Sequence, residues 1–275
     1  MLEQLKYKNH MNEVFEFGKD GIFVNTNELH DYEWEVTTKN NRIAALDHVV
    51  REKALPVVII CEDESQGIQA RNKLFEVVEK DVLALQHGRV IIGDYYFKCY
   101  VTKSTKENYL TSKRLMQLEL TLTSDFPFWT KETVVSFNSG QIQEVDSEYL
   151  DYNFDHPFDY LTTLDVRELN NTGFVGANFR LIVYGACSNP AVYIGGHAYR
   201  VNCDIEAGEY LTIDSSTKKI TLTAVDGTVT NMFNLRNRDS YIFQRIPAGV
   251  NTVSWEGDIR FDVVILEERS EPKWT

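Results

Sequence analysis

The sequence predicts a mainly β protein of β-sandwich type with one long helix, divided into two domains. Three observations predict this. Met116, Leu118, Leu120 and Leu122 alternate with Gln117, Glu119, Thr121 and Thr123, the period of two that marks a half-buried strand. Only one stretch, about Ser65–Gln86, sustains a helical repeat. The second half is a run of short apolar segments broken by Gly- and Asp-containing turns, the rhythm of a sandwich or jelly roll. At 275 residues the chain is long enough for two domains or for one large β fold.

Taken in order, the first apolar segment is Gly21–Asn25. Tyr32, Trp34 and Val36 then alternate with Asp31, Glu33 and Glu35, which predicts a half-buried strand. Thr37–Lys53 is polar and holds Asn40-Asn41, as in a long loop or a protruding hairpin. Leu55–Glu62 is continuously apolar up to its last residue, as in a central strand. In the helix over 65–86, Ile68, Phe75, Val78, Val82 and Leu85 form one apolar face. Ser65 is its expected N-cap and Gly88 its expected stop. Arg89–Ile92 and Tyr95–Val101 flank Gly93-Asp94, a two-residue hairpin turn. One helix beside antiparallel strands makes residues 1–140 an α+β domain.

Ser136–His156 is polar and acidic, and we expect the domain junction there. Residues 141–275 form the second, all-β domain. Phe179, Leu181 and Val183 share a face. Ala191–Ile194 and His197–Ile205 flank Gly195-Gly196, with Tyr199, Val201, Cys203 and Ile205 pointing one way. Further strands are expected at Tyr210–Ile213, Ile220–Ala224, Tyr241–Ile246, Val250–Trp255 and Ile259–Leu266.

Composition narrows the function. The net charge is −13, and a chain that grips nucleic acid carries a basic patch. Lys103, Lys106, Lys113 and Arg114 are the nearest candidate and read as a solvated loop, so no specific nucleic-acid binding is expected. The longest aliphatic run, around Leu55–Cys61, is far too short for a membrane span. The N-terminal stretch MLEQLKYKNHMNEVFEF holds no apolar signal core, and synthesis in a reducing cytoplasm is expected, which the resemblance described below would make that of a bacterial host. Cys61, Cys99, Cys187 and Cys203 lie in apolar runs without a C-x-x-C pair. Buried, reduced thiols are the expectation, with Cys61–Cys99 and Cys187–Cys203 disulfides left open.

No catalytic motif, phosphate loop or metal-ligand spacing occurs. Hence no catalytic residue, cofactor or metal is expected. His156 beside Asp155 reads as a loop histidine, and Glu62-Asp63-Glu64 as acidic residues suited to a helix N-terminus.

Several phrases carry a resemblance. DFPFW at Asp125–Trp129 closes the first domain, and YNFDHPFDY at Tyr152–Tyr160 opens the second. SNPAVYIG at Ser188–Gly195, the Gly208–Asp214 turn and strand, and NMFNLR at Asn231–Arg236 follow. IPAGVNTVSWEG at Ile246–Gly257 and ERSEPKW at Glu268–Trp274 complete the series. In this order they resemble the distal tail proteins of long-tailed bacteriophages and prophages. The resemblance implies an N-terminal ring-forming domain with a protruding hairpin and a C-terminal galectin-like domain. It implies a homo-hexameric ring at the virion tail tip that joins the tail tube protein to the tail-tip or tail-associated lysin protein. It also implies baseplate or receptor-binding proteins as partners, and a channel for DNA. Pro127, Phe128 and Trp129 match the first closing phrase, and Glu271, Pro272 and Trp274 the last, each as a packing or interface position. Trp255 is the residue that a sugar would stack on if the chain were instead a carbohydrate-binding accessory or adhesin module.

Overall fold

A computed structural model describes residues 4–19, 21–107, 112–138 and 168–274. The protein is mainly β with a single α-helix, as its patterning predicts. The chain divides into two compact units, Met1–Lys131 with Glu268–Thr275, and Glu132–Glu267. The junction expected over Ser136–His156 lies, from position 139 onward, outside the described residues, as do Asp155 and His156.

The first unit begins with β1 (Leu5–Lys8), β2 (Val14–Glu16) and β3 (Ile22–Val24). Next come β4 (Glu35–Lys39), β5 (Arg42–Asp47) and β6 (Arg51–Ile60). Helix α1 (Glu64–Ala84), β7 (Gly88–Ile92), β8 (Tyr95–Glu107) and β9 (Leu115–Ser124) follow, and β10 (Trp129–Asn138) begins in this unit and continues into the second. Strand β8 serves two ladders. Its first residues pair with β7, which pairs with β1 and then β2. Beyond Tyr100 it pairs with β9, which pairs with β6 and then β3. The register slips between Val101 and Lys103, and such a bulge bends the strand where it changes ladder. Both ladders point inward onto one core that holds Phe97, Leu120, Leu122 and Trp129.

Helix α1 covers this core, with three corrections to the sequence reading. Asp63, not Ser65, is the N-cap: its Oδ1 accepts from the Gln66 amide at 2.8 Å. Leu85, with φ of +51°, ends the helix in a left-handed cap. Gly88 is instead the first residue of β7. A Cβ there would stand 2.1 Å from the Tyr7 hydroxyl and 2.2 Å from Asp81 Oδ2. The buried face is Gly67, Ala70, Leu74, Val77, Val78 and Asp81. Of the expected face only Val78 is buried; Ile68, Phe75, Val82 and Leu85 are exposed.

Asp81 is fully buried in the last turns of α1. It accepts from the Tyr7 hydroxyl at 2.6 Å and the His10 amide at 2.8 Å, and the His10 ring nitrogen lies 2.6 Å away. Burial pushes the Tyr7 phenol far up, so Tyr7 stays protonated and donates.

The second unit contains β11 (Glu168–Asn171), β12 (Asn178–Tyr184), β13 (Cys187–Ser188), β14 (Ala191–Ile194) and β15 (His197–Arg200). It continues through β16 (Asp204–Ile205), β17 (Tyr210–Asp214), β18 (Lys219–Thr223), β19 (Val229–Asn231), β20 (Gly249–Trp255) and β21 (Arg260–Arg269). One ladder runs β19-β18-β17-β12-β21 and a second runs β11-β20-β14-β15. Phe179, Leu181, Val183, Tyr199, Leu211 and Phe261 fill the core. Tyr241–Ile246, expected as a strand, is irregular, with a turn at Ile242-Phe243 and a single bridge from Ile246 to Ala177. Its buried residues are Ile242, Phe243 and Ile246, a spacing that a period of two cannot produce. The four cysteines are free thiols.

Replacing Asp81 by Ala removes the buried partner of the Tyr7 hydroxyl and of the His10 amide and ring. We expect a loss of about 3 kcal/mol, read as a lower urea midpoint with an unchanged slope. An unchanged midpoint would show that the cluster contributes nothing.

Candidate functional site: a projecting hairpin and its root

Strands β4 and β5 form a two-stranded sheet that pairs with no other strand among the described residues. Asn40 and Asn41 both take positive φ, 51° and 57°, between the paired Lys39 and Arg42. This is the two-residue turn that matches strand twist. The protruding hairpin foreseen within Thr37–Lys53 is therefore present, but it starts earlier, at Glu35. Tyr32–Val36 is not a half-buried strand: its first part is irregular, and Tyr32, Trp34 and Val36 are exposed. Opposed residues share a face, so Val36, Leu46, Thr38 and Ile43 line one side of the hairpin. Ile43 is 66% exposed, with Val36 and Leu46 close behind. An isolated hairpin is marginal in water, and this one holds its apolar side outward.

The root is rigid. Lys53 lies on the core face of β6 with Leu55, Val57 and Ile59, all buried. Its Nζ donates to the carbonyls of Glu28 (3.0 Å), Leu29 (3.3 Å) and Asp31. The Trp129 indole also donates to Leu29 O, at 3.1 Å. Burial pulls the Lys53 ammonium below the ordinary lysine range, while Asp31 and Glu28 act to hold it up. Segment 28–31 is thus fastened to the core immediately before the hairpin. At the other end, the His48 ring sits 3.9 Å from Trp34 and 4.3 Å from Phe128, centroid to centroid. Phe126 continues the row at 5.1 Å from Phe128. Arg51, bound to Glu33 at 3.1 Å, stands beside His48. Desolvation and then Arg51 lower the His48 pKa, and its Nε2 is covered with no hydrogen-bond partner.

The residues of the family phrases fall in different places. Pro127 and Trp129 are buried, and half-buried Phe128 joins the aromatic row. Pro272 is buried and Glu271 half-buried. Trp274 is 71% exposed and stacks on His30 at 3.9 Å. Trp255, partly buried, packs on Phe261 (5.2 Å) and Phe137 (6.0 Å) at the edge of the second core. Lys53 and His48 escaped the sequence reading. The one signal for Lys53 was its parity with Leu55, Val57 and Ile59.

Among the described residues, no group of three or more His, Cys, Asp or Glu side chains could hold a metal. A shallow groove of about 420 Å³ between β2 and α1 is lined by Glu13, Lys73, Glu76 and Lys80 among others. Within it Lys80 and Glu13 are paired at 2.6 Å.

Fold and surface define a two-unit β protein with a projecting arm. Solved structures similar in fold include phage proteins. A chain of the phage P2 baseplate in its activated conformation with Ca is 11% identical, with a TM-score of 0.64 over 99% of this chain and all of that one. The same baseplate with Sr gives 11% identity and 0.63 over 99% and 100%. The Dit protein of phage SPP1, described as a paradigm of the hub adsorption apparatus in phages infecting Gram-positive hosts, is 9% identical, with a TM-score of 0.58 over 98% of this chain and all of that one. No family model matches the sequence, and no curated protein does. The fold is that of phage baseplate and Dit hub proteins, as the resemblance of the phrases implies.

The lowered His48 pKa has a sign. A neutral ring suits the folded root, so its stability is full above the ordinary value near 6.5 and falls as pH drops through the lowered value. Limited proteolysis at the hairpin should quicken between pH 7 and pH 5 in the native chain. The His48→Phe variant should show a flat profile. Equal profiles would remove His48 as the sensitive group.

Proposed function

We propose that the chain is a non-enzymatic structural hub of a phage tail tip. Six copies close into a ring that continues the tail tube and meets the tail-tip or tail-associated lysin protein below. Baseplate or receptor-binding proteins attach around it, and DNA passes through its channel. The observation that carries this reading is the hairpin, a rigidly rooted arm with an apolar side facing water. Head-to-tail contacts that repeat by rotation close a ring, and an arm reaching a neighbour is a natural means of making them. The whole-chain likeness in fold to hub and baseplate proteins supports the same reading. A net charge of −13 suits a channel along which DNA slides without sticking. The location that follows is the virion tail tip.

Electron microscopy and light scattering of the purified chain should find six-membered rings. Ile43→Asp combined with Leu46→Asp should leave monomers with an unchanged melting temperature, because both side chains are exposed within one copy. Rings that persist in this variant would take the arm out of ring closure.

A further inference from the structure

The second unit carries a local excess of positive charge on a chain whose net charge is −13. Residues 214–219 and 231–246 hold Lys218, Lys219, Arg236, Arg238 and Arg245 against Asp214 and Asp239. The two segments meet. The Met232 amide donates to the Ile220 carbonyl at 2.8 Å, and the Lys218 ammonium lies over the rings of Tyr241 and Phe243 at 5.7 and 5.5 Å. Asp214 is engaged by its own turn, where Oδ1 accepts from the amides of Ser216 (2.8 Å) and Thr217 (3.0 Å).

Aromatic rings, not carboxylates, hold two of these cations. Phe243, 4% exposed, is the buried anchor. Tyr241 meets it edge-on at 6.0 Å, and Phe233 lies stacked with it at 6.1 Å. The Arg236 guanidinium stands 3.9 Å from the Phe233 centroid and donates to the Phe233 carbonyl at 2.7 Å. Neither Lys218 nor Arg236 forms a salt bridge among the described residues. A ring face fixes a cation without cancelling its charge, so both groups keep most of their N–H donors for an anion. Lys218 also takes a φ of +57°, a left-handed position that glycine or asparagine fills at lower cost. The turn sets a lysine where backbone preference alone would not.

Tyr241 is 60% exposed. Its carbonyl lies 3.0 Å from His197 Nε2, which ties down its backbone and leaves the ring as a flat apolar face in water. The exposed positions flanking these rings in the chain are Asn234, Arg238, Gln244 and Arg245, broken by Leu235. Charged and amide groups around one bare ring lack the apolar, charge-depleted centre of a stable protein interface. They match a polymer whose units offer hydroxyls, a C–H face and negative charge. We propose that this patch binds an anionic polysaccharide, with acidic groups on Lys218 and Arg236 and a sugar ring against Tyr241. The assignment involves neither Trp255 nor ring formation.

The test measures binding of the full-length chain to polygalacturonate and to phosphomannan at low salt, beside neutral dextran and poly-glutamate. The expected result is binding to at least one of the two anionic glycans and not to dextran, weakened at least tenfold by Lys218→Glu and by Tyr241→Ser. Both side chains are exposed, so the melting temperature should stay unchanged. Lys219→Glu makes the same charge change one residue away and should weaken binding less than twofold. Absence of binding to both glycans would overturn the site. Equally tight binding of poly-glutamate would overturn the polysaccharide and make the patch a seat for acidic protein. An equal loss from Lys219→Glu would reduce it to unspecific charge attraction and overturn it too.

Discussion

A buried ammonium must be given acceptors, and much of the first unit is arranged around meeting that demand for Lys53. Strand β6 carries it on the core side in register with Leu55. The chain between β3 and β4 bends over it and presents three carbonyls. The same bend delivers Leu29 into the core and its carbonyl to the Trp129 indole. A charged group on a core face is expensive in isolation. Here that expense fixes the course of a segment that would otherwise be an ordinary surface loop, and the arm inherits its direction from it.

Local alternation was legible because it reports one strand and one face. Met116–Thr123, Phe179–Tyr184 and the Gly93-Asp94 and Gly195-Gly196 turns all appear in the structure as their residues predict. The helix was legible in extent but not in orientation. Its buried face includes Gly67 and Ala70, small residues that let the helix approach the entry to β9, where a Cβ on Gly67 would stand 2.1 Å from the Lys113 carbonyl. Small residues and a buried Asp81 do not look like a core face, whereas Ile68, Phe75 and Val82 do. Periodicity counts apolar positions and is blind to which of two stripes meets the sheet. The same blindness explains Tyr32–Val36, whose alternation continues into a hairpin with no sheet behind it. Short strands such as β2, β11 and β19, three or four residues each, carry too few positions to establish a period at all.

A docking surface need not contain a pocket. Its specificity lies in where apolar surface is left bare and how rigidly that surface is held. In the first unit the bare surfaces are the outer side of α1 and one side of the hairpin, and both sit on elements fastened from behind, by Asp81 and by Lys53. Preorganisation of this sort lowers the entropy lost on association.

The contact of Tyr7, Asp81 and Gly88 also bears on descent. A side chain at position 88 would collide with both oxygen atoms at once, so the three positions are free to drift only as a group. Among chains that keep this fold at about a tenth of their residues in common, such a triplet would be inherited whole or replaced whole. A lineage that loses the hydroxyl and the carboxylate together could admit alanine in place of the glycine, and its descendants would be recognised by the missing pair.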